Sequence, residues 1–192
     1  MNKAIISYLL RNERVESIHL THAALVGPEG ETVFAAGFTD APLYVRSAAK
    51  PFQAAVLHLS GAVEKYSLGT EDLAVACASH GGEPRHIEVL RQFQDKVGVS
   101  VDDLACGAHF PFNRQAEEQL LADGTQPTQL HNNCSGKHTA FLAAAKALGA
   151  PLEGYLEPDH PVQAAILMEL KRLAGLDEIP VGVDGCSAPT YF

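Results

Sequence analysis

Four apolar segments of this chain each break into a short polar turn marked by glycine or proline, and that recurrence narrows the folds open to it. The turns lie in "VRSAAKPFQA" (Val45–Ala54), "CASHGGEPRH" (Cys77–His86), "HNNCSGKH" (His131–His138) and "VGVDGCSAP" (Val181–Pro189). Polar, sharply turning segments at the ends of apolar elements are where α/β proteins gather their active sites. No internal repeat, low-complexity tract or charged linker interrupts the series.

The segments between these turns alternate strand-like and helix-like patterns, which predicts an α/β (α+β) protein. "SIHLTHAALVGPEGETVFAAG" is two apolar runs around "GPEGE", the pattern of a hairpin. "YVRS" reads as a short extended lead into a helix over "PFQAAVLHLSGA". "EDLAVACASHGG" begins as a buried apolar run and ends in glycines, which suits a loop at a strand end. Pro84 opens a helix in which Ile87, Leu90, Phe93 and Val97 recur at helical spacing, and Gly98 stops it. A loop-rich stretch, "CGAHFPFNRQ", precedes a short helix "AEEQLLADG". An alanine-rich helix follows "HNNCSGKH" and ends at Gly149, and another runs from Pro161 to about residue 174. "IPVGVDGCSAPTYF" reads as a strand breaking into a turn. Phe192 falls inside what reads as a new element, so the expectation is the N-terminal portion of something longer.

Composition removes several function classes. At 46% hydrophobic and 19% charged, the chain can bury a core. Apolar runs such as "AAILMEL" are far shorter than a membrane span. "MNKAIISYLLRNERVESIHL" lacks the cleavage pattern of a secretory signal. A cytoplasmic protein without a membrane partner is expected. With 14 basic against 23 acidic side chains and a net charge of −9, nucleic acid is a poor partner, because its binding rests on phosphate neutralisation. Cys77, Cys106, Cys134 and Cys186 are scattered, which points to free thiols or ligands rather than a disulfide framework.

Ser47 and Lys50 stand at i and i+3, so on a helix they share a face. A serine hydroxyl needs an adjacent base to act as a nucleophile, and a lysine kept neutral by burial or nearby positive charge can supply one. Free N–H groups at a helix start would also stabilise an oxyanion. The same four residues equally describe an ordinary helix start, because serine is a favoured N-cap. In the second island, Ser79 and His80 beside two glycines suit a cleft loop, or else the glycines turn the chain and Ser79 or Gly82 caps the next helix. In the third, Cys134 and Lys137 share the i, i+3 relation at a helix start, where a cysteine pKa tends to fall. The "GKHT" there is not a phosphate loop, because His131 stands where the first glycine is needed. Cys134, a nearby histidine and Cys186 are permitted as metal ligands, although the spacing is not a standard zinc one, and a capped helix with a buried thiol is the plainer reading. Asp184 and Cys186 point to one side if their strand persists; otherwise Asp-Gly is a turn signal.

In this order and at these separations, "VRSAAKPFQA", "CASHGGEPRH", "HNNCSGKH" and "DGCSAPT" resemble the bacterial L-asparaginase II family of the Rhizobium etli inducible type. "FTDAP" and "VGVDGC" fit it too, and the resemblance runs over nearly the whole chain. It implies a fold similar to serine β-lactamases and penicillin-binding proteins, a sheet flanked by helices and incomplete in this chain. Residues 1–192 would be a single asparaginase-like domain lacking the C-terminal part of the family domain. The implied activity is hydrolysis of the small-molecule substrate L-asparagine to L-aspartate and ammonia, and a homodimer is expected. Ser47 would be the nucleophile, Lys50 its general base and Ser79 a second serine of the proton relay. Cys134, Lys137 and Cys186 would hold zinc, with Asp184 by the metal-bound water and Arg46 and His138 near the site. A lysine ligates only as the neutral amine, which a nearby zinc ion favours. Arg46 is a candidate to bind the substrate α-carboxylate bidentately.

Two other readings stand beside this one. A non-catalytic zinc-binding or dimerising fragment of the same fold would release no ammonia from asparagine. A penicillin-recognising serine enzyme would be acylated by a β-lactam, though no K-T-G-type motif supports it.

Overall fold

Asn12 and Glu13 both take left-handed backbone angles, φ 47° and 61°, and reverse the chain tightly enough to pair β1 (Ile5–Arg11) with β2 (Arg14–Thr21). A bulge between Leu9 and Leu10 shifts the register, so that Leu9 faces Ser17 while Leu10 faces Val15. A second antiparallel hairpin joins β3 (Ala23–Val26) to β4 (Thr32–Ala36). It turns through "GPEGE", as its sequence predicts. These strands come from a computed structural model that describes residues 5–192. The chain divides into two units, one up to Leu43 and one from Tyr44 to Phe192.

The second unit is built around one helix. After a 3₁₀ turn at Arg46–Ala49 come three short helices, α1 (Lys50–Ala54), α2 (Val56–Leu59) and α3 (Ala62–Lys65). They are followed by α4 (Thr70–Cys77), α5 (Pro84–Val97), α6 (Arg114–Ala122), α7 (Ser135–Leu148) and α8 (Pro161–Ala174). A last hairpin pairs β5 (Val181–Val183) with β6 (Pro189–Tyr191). Every residue of α7 from Ser135 to Ala145 is buried. A helix buried on every side must be covered on every side, and α7 touches α1 to α5 and α8. Its small residues let the neighbours approach closely. A Cβ on Gly136 would overlap the Val75 carbonyl of α4.

The punctuation of α5, α7 and α8 is the one their sequences predict. Pro84 and Pro161 sit at helix starts, while Gly98, Gly149 and Gly175 close the helices in left-handed conformations. Two segments differ from expectation. "EDLAVAC" is helical rather than a strand, because an apolar run of this length fits either and α7 offers it a helix-packing surface. Nor is the region after Tyr44 one helix: it is a 3₁₀ turn and three helical pieces, with left-handed Gly61 separating the last two. The architecture is mixed α and β, with strands among the described residues paired as three two-stranded antiparallel sheets and no closed barrel. No helix among them is long and apolar enough to cross a membrane.

Candidate active site

All four polar turns come from the second unit, and three of them line one cavity of about 670 Å³. The first contributes Arg46, Ser47 and Lys50, the third Asn132 to Cys134 and Lys137, and the fourth Asp184 to Cys186. Arg46 has φ 53°, which for a non-glycine residue costs about 1–3 kcal/mol and is tolerated where surrounding structure demands it. Ser47 lies inside the 3₁₀ turn whose N-cap is Val45, and no side chain caps that turn. Its hydroxyl is therefore not spent on capping, and it stands on the cavity wall.

Lys50 is 2% exposed. Its Nζ donates to the Ala78 carbonyl at 2.9 Å, to Ser79 Oγ at 2.7 Å and to the Asn133 carbonyl at 3.3 Å. The second motif thus enters the site through Ser79, 29 residues away in sequence. Burial lowers the Lys50 pKa, and the charge of Lys137 adds to the effect, against the opposing pull of Cys134 and Cys186. In the neutral amine the two carbonyl bonds can persist while the Ser79 hydroxyl donates to the lone pair. His80, beside Ser79, is not a partner for it. Its Nδ1 accepts from the Gly82 N–H, so Nε2 carries the proton and donates to Ser135 Oγ at 2.8 Å.

Cys134 is the N-cap of α7, with Lys137 one turn on. A hydrogen bond from Cys186, together with the charges of Lys137 and Lys50, outweighs burial and lowers the Cys134 thiol pKa to about 6. Cys186 correspondingly keeps its proton, its pKa raised by that pairing and by burial. Lys137, also 2% exposed, donates to Asp184 Oδ2 at 2.6 Å. Burial opposes ionisation of Asp184, but this bond and two from the Cys186 and Ala188 N–H groups win, and its pKa is lowered. Those two backbone bonds also show that the strand ends at Val183 and a turn follows, so Asp184 and Cys186 are brought together by a turn rather than by strand alternation. Two thiols, one leaning to thiolate near neutral pH, and a lysine amine form a donor set that fits a soft-to-borderline divalent metal such as zinc. Among the described residues no three His, Cys, Asp or Glu groups cluster closely enough to hold a metal ion, at this site or elsewhere, so the set depends on Lys137 as a ligand, and none of the four cysteines is in a disulfide.

His138 does not join the cavity wall. It is fully buried in α7 and takes the Tyr155 hydroxyl on Nδ1 at 2.7 Å, while that hydroxyl accepts from Ala105 N–H at 2.8 Å. Burial lowers its pKa to about 3, so it is a neutral brace behind Lys137.

The asparagines organise the third turn. Asn132 Oδ1 accepts from the Cys134 N–H and lies 3.7 Å from Cys186 Sγ, while its Nδ2 donates to the Cys106 and Gly107 carbonyls. His109 holds Asn133 by accepting its N–H on Nε2 at 3.2 Å, with Nδ1 donating to the Phe110 carbonyl. His109 and Phe112 stack and line the cavity. They lie in "CGAHFPFNRQ", a stretch legible only as loop, where an isolated His-Phe pair gives no spacing to read.

The family model described as L-asparaginase II matches residues 8–192 of this chain. The chain belongs to the L-asparaginase II family. That membership suggests an amidohydrolase with a small-molecule amide substrate. A sequence comparison with curated proteins returned no match.

Proposed function

We propose that this chain hydrolyses L-asparagine to L-aspartate and ammonia, with Ser47 as nucleophile and Lys50 as general base. The observation carrying the proposal is Lys50, a buried lysine of lowered pKa that shares one cavity with Ser47 and holds Ser79 at 2.7 Å. Ser47 Oγ attacks the carboxamide carbon, and its proton passes to Lys50, directly or through Ser79. The Lys50 ammonium then returns a proton to the departing nitrogen, releasing ammonia and leaving an ester on Ser47. Water attacks that ester with Lys50 again taking the proton and returning it to Ser47 Oγ as the ester bond breaks, and L-aspartate leaves. Arg46, on the cavity wall, would bind the substrate α-carboxylate.

Cys134, Cys186 and Lys137 would hold zinc, which when bound supplies a Lewis acid that polarises or orients a substrate oxygen. Asp184 fits the supporting role, since it already holds Lys137 Nζ and the Cys186 backbone. On the same reading the fold is related to serine β-lactamases and penicillin-binding proteins, and the protein is a cytoplasmic homodimer. The test is ammonia release from L-asparagine and L-glutamine, with metal content determined on the same sample. Sustained release from asparagine is expected; its absence sinks the proposal.

A further inference from the structure

Lys50 can act as a base only if its lone pair points at the group that gives up a proton. A neutral amine has two N–H donors, and two main-chain acceptors meet this one, the Ala78 carbonyl at 2.9 Å and the Asn133 carbonyl at 3.3 Å. With both donors spent, the lone pair is left for Ser79 Oγ at 2.7 Å. The Asn133 bond is the longer of the two carbonyl bonds, so a small shift of Asn133 would break it and let the amine turn about its last single bond. The same carbonyl accepts the His80 N–H at 3.3 Å, which leaves the Asn133 N–H as the remaining main-chain handle on this residue.

His109 grips that handle. Its Nδ1 lies 2.7 Å from the Phe110 carbonyl, which can only accept, so Nδ1 carries the proton and Nε2 presents a lone pair. The lone pair takes the Asn133 N–H at 3.2 Å; Asn133 Oδ1, 3.4 Å from the same nitrogen, is itself an acceptor and adds no bond in this tautomer. The ring stacks on Phe112 with centroids 4.9 Å apart. Its loop is anchored separately on both sides. Asn132 Nδ2 donates to the Cys106 and Gly107 carbonyls, and the Asn113 N–H donates to the Gly81 carbonyl at 2.9 Å. Those bonds hold the loop without the imidazole nitrogens, whereas the grip on Asn133 needs Nε2. Resting on the serine-lysine reading above, we propose that His109 is a positioning residue for the base: through Nε2 it holds Asn133 so that the Asn133 carbonyl keeps the Lys50 amine turned towards Ser79.

Two amide side chains separate the roles of the two ring nitrogens. Glutamine can place a carbonyl oxygen near the Nε2 position and keep an acceptor for the Asn133 N–H, whereas asparagine reaches only the Nδ1 position and loses it. His109→Asn should lower kcat for L-asparagine roughly 10-fold, the range of one hydrogen bond, with KM changed by less than about twofold. His109→Gln should recover most of the loss. Bound zinc is measured on the same samples, because Asn133 directly precedes Cys134. An unchanged kcat in H109N, a loss confined to KM, an equal loss in H109Q, or a loss that follows zinc content overturns the inference. If H109N does not fold, His109→Phe takes its place, since it keeps the stack on Phe112 and lacks both nitrogens. A wild-type chain that releases no ammonia would instead sink the asparaginase reading. His109 is then judged by the ¹⁵N resonance of Lys50 Nζ in lysine-labelled protein, assigned with Lys50→Met. A resonance that moves in H109N and returns in H109Q supports the positioning role, and one that stays in place in H109N overturns it.

Discussion

Replacing Lys50 by methionine separates the catalytic part of the account from the structural one. Methionine has nearly the same length and volume, so packing is preserved. Of the three groups bonded by Lys50, Ser79 is exposed and can turn to water, and the Asn133 carbonyl still accepts from the His80 N–H at 3.3 Å. Only the Ala78 carbonyl loses a partner without that recourse, at about 1–3 kcal/mol. Removing a buried amine recovers its desolvation cost, so the net change in stability is within about 2 kcal/mol, a shift of no more than roughly 8 °C for a chain of this length. Catalysis loses its base, which is worth about 10²–10⁴ in rate, or about 3–5 kcal/mol in the barrier. The assay is steady-state ammonia release beside a thermal melt of the same preparation. Lys50→Met that folds normally yet keeps more than a tenth of wild-type kcat/KM would refute the assignment of Lys50 as base.

Three further tests probe other parts of the site and fold. Burial, followed by the charges of His86 and Lys50, lowers the His80 pKa from 6.5 to about 4, so between those values the unfolded chain binds a proton that the folded one does not. Stability should fall by about 3 kcal/mol as pH drops through that window, and His80→Gln should flatten the dependence; urea melts at stepped pH that overlay for both proteins would contradict it. Gly136→Ala should lower the melting temperature by roughly 2–12 °C, because its methyl group meets the Val75 carbonyl and overpacking costs about 1–3 kcal/mol. A wild-type melting curve would mean that α4 and α7 are not in such close contact. Cys134→Ser or Cys186→Ser should bring bound zinc, read by elemental analysis, towards zero, and stoichiometric zinc in both variants would put the metal elsewhere.

Local punctuation was the legible part of this sequence. Proline at the starts and glycine at the ends located α5, α7 and α8, because these residues have few other places to go. The "GPEGE" hairpin was legible for the same reason. The first hairpin was not, since Asn12-Glu13 carries no glycine although both residues adopt positive φ. The helical state of α4 depends on its packing against α7, which an apolar run cannot disclose. At the site, the residue types and their clustering in turns were readable, but their partnerships were not. Lys50 meets Ser79 across 29 residues, and Lys137 meets Asp184 across 47. Sequence spacing suggested Lys50 with Ser47, whereas the hydrogen bond observed is to Ser79. His109 gains its place from tertiary folding alone, and His138, next to Lys137 in the chain, turns away to Tyr155.

The central claim is that Ser47 is the nucleophile of an asparagine-hydrolysing site. Its most direct test is ammonia release from L-asparagine by Ser47→Ala, beside wild type and with fold and metal content checked on the same samples. Turnover should be abolished in Ser47→Ala while its melting temperature and bound zinc match wild type. Near-wild-type release by the folded variant would contradict it.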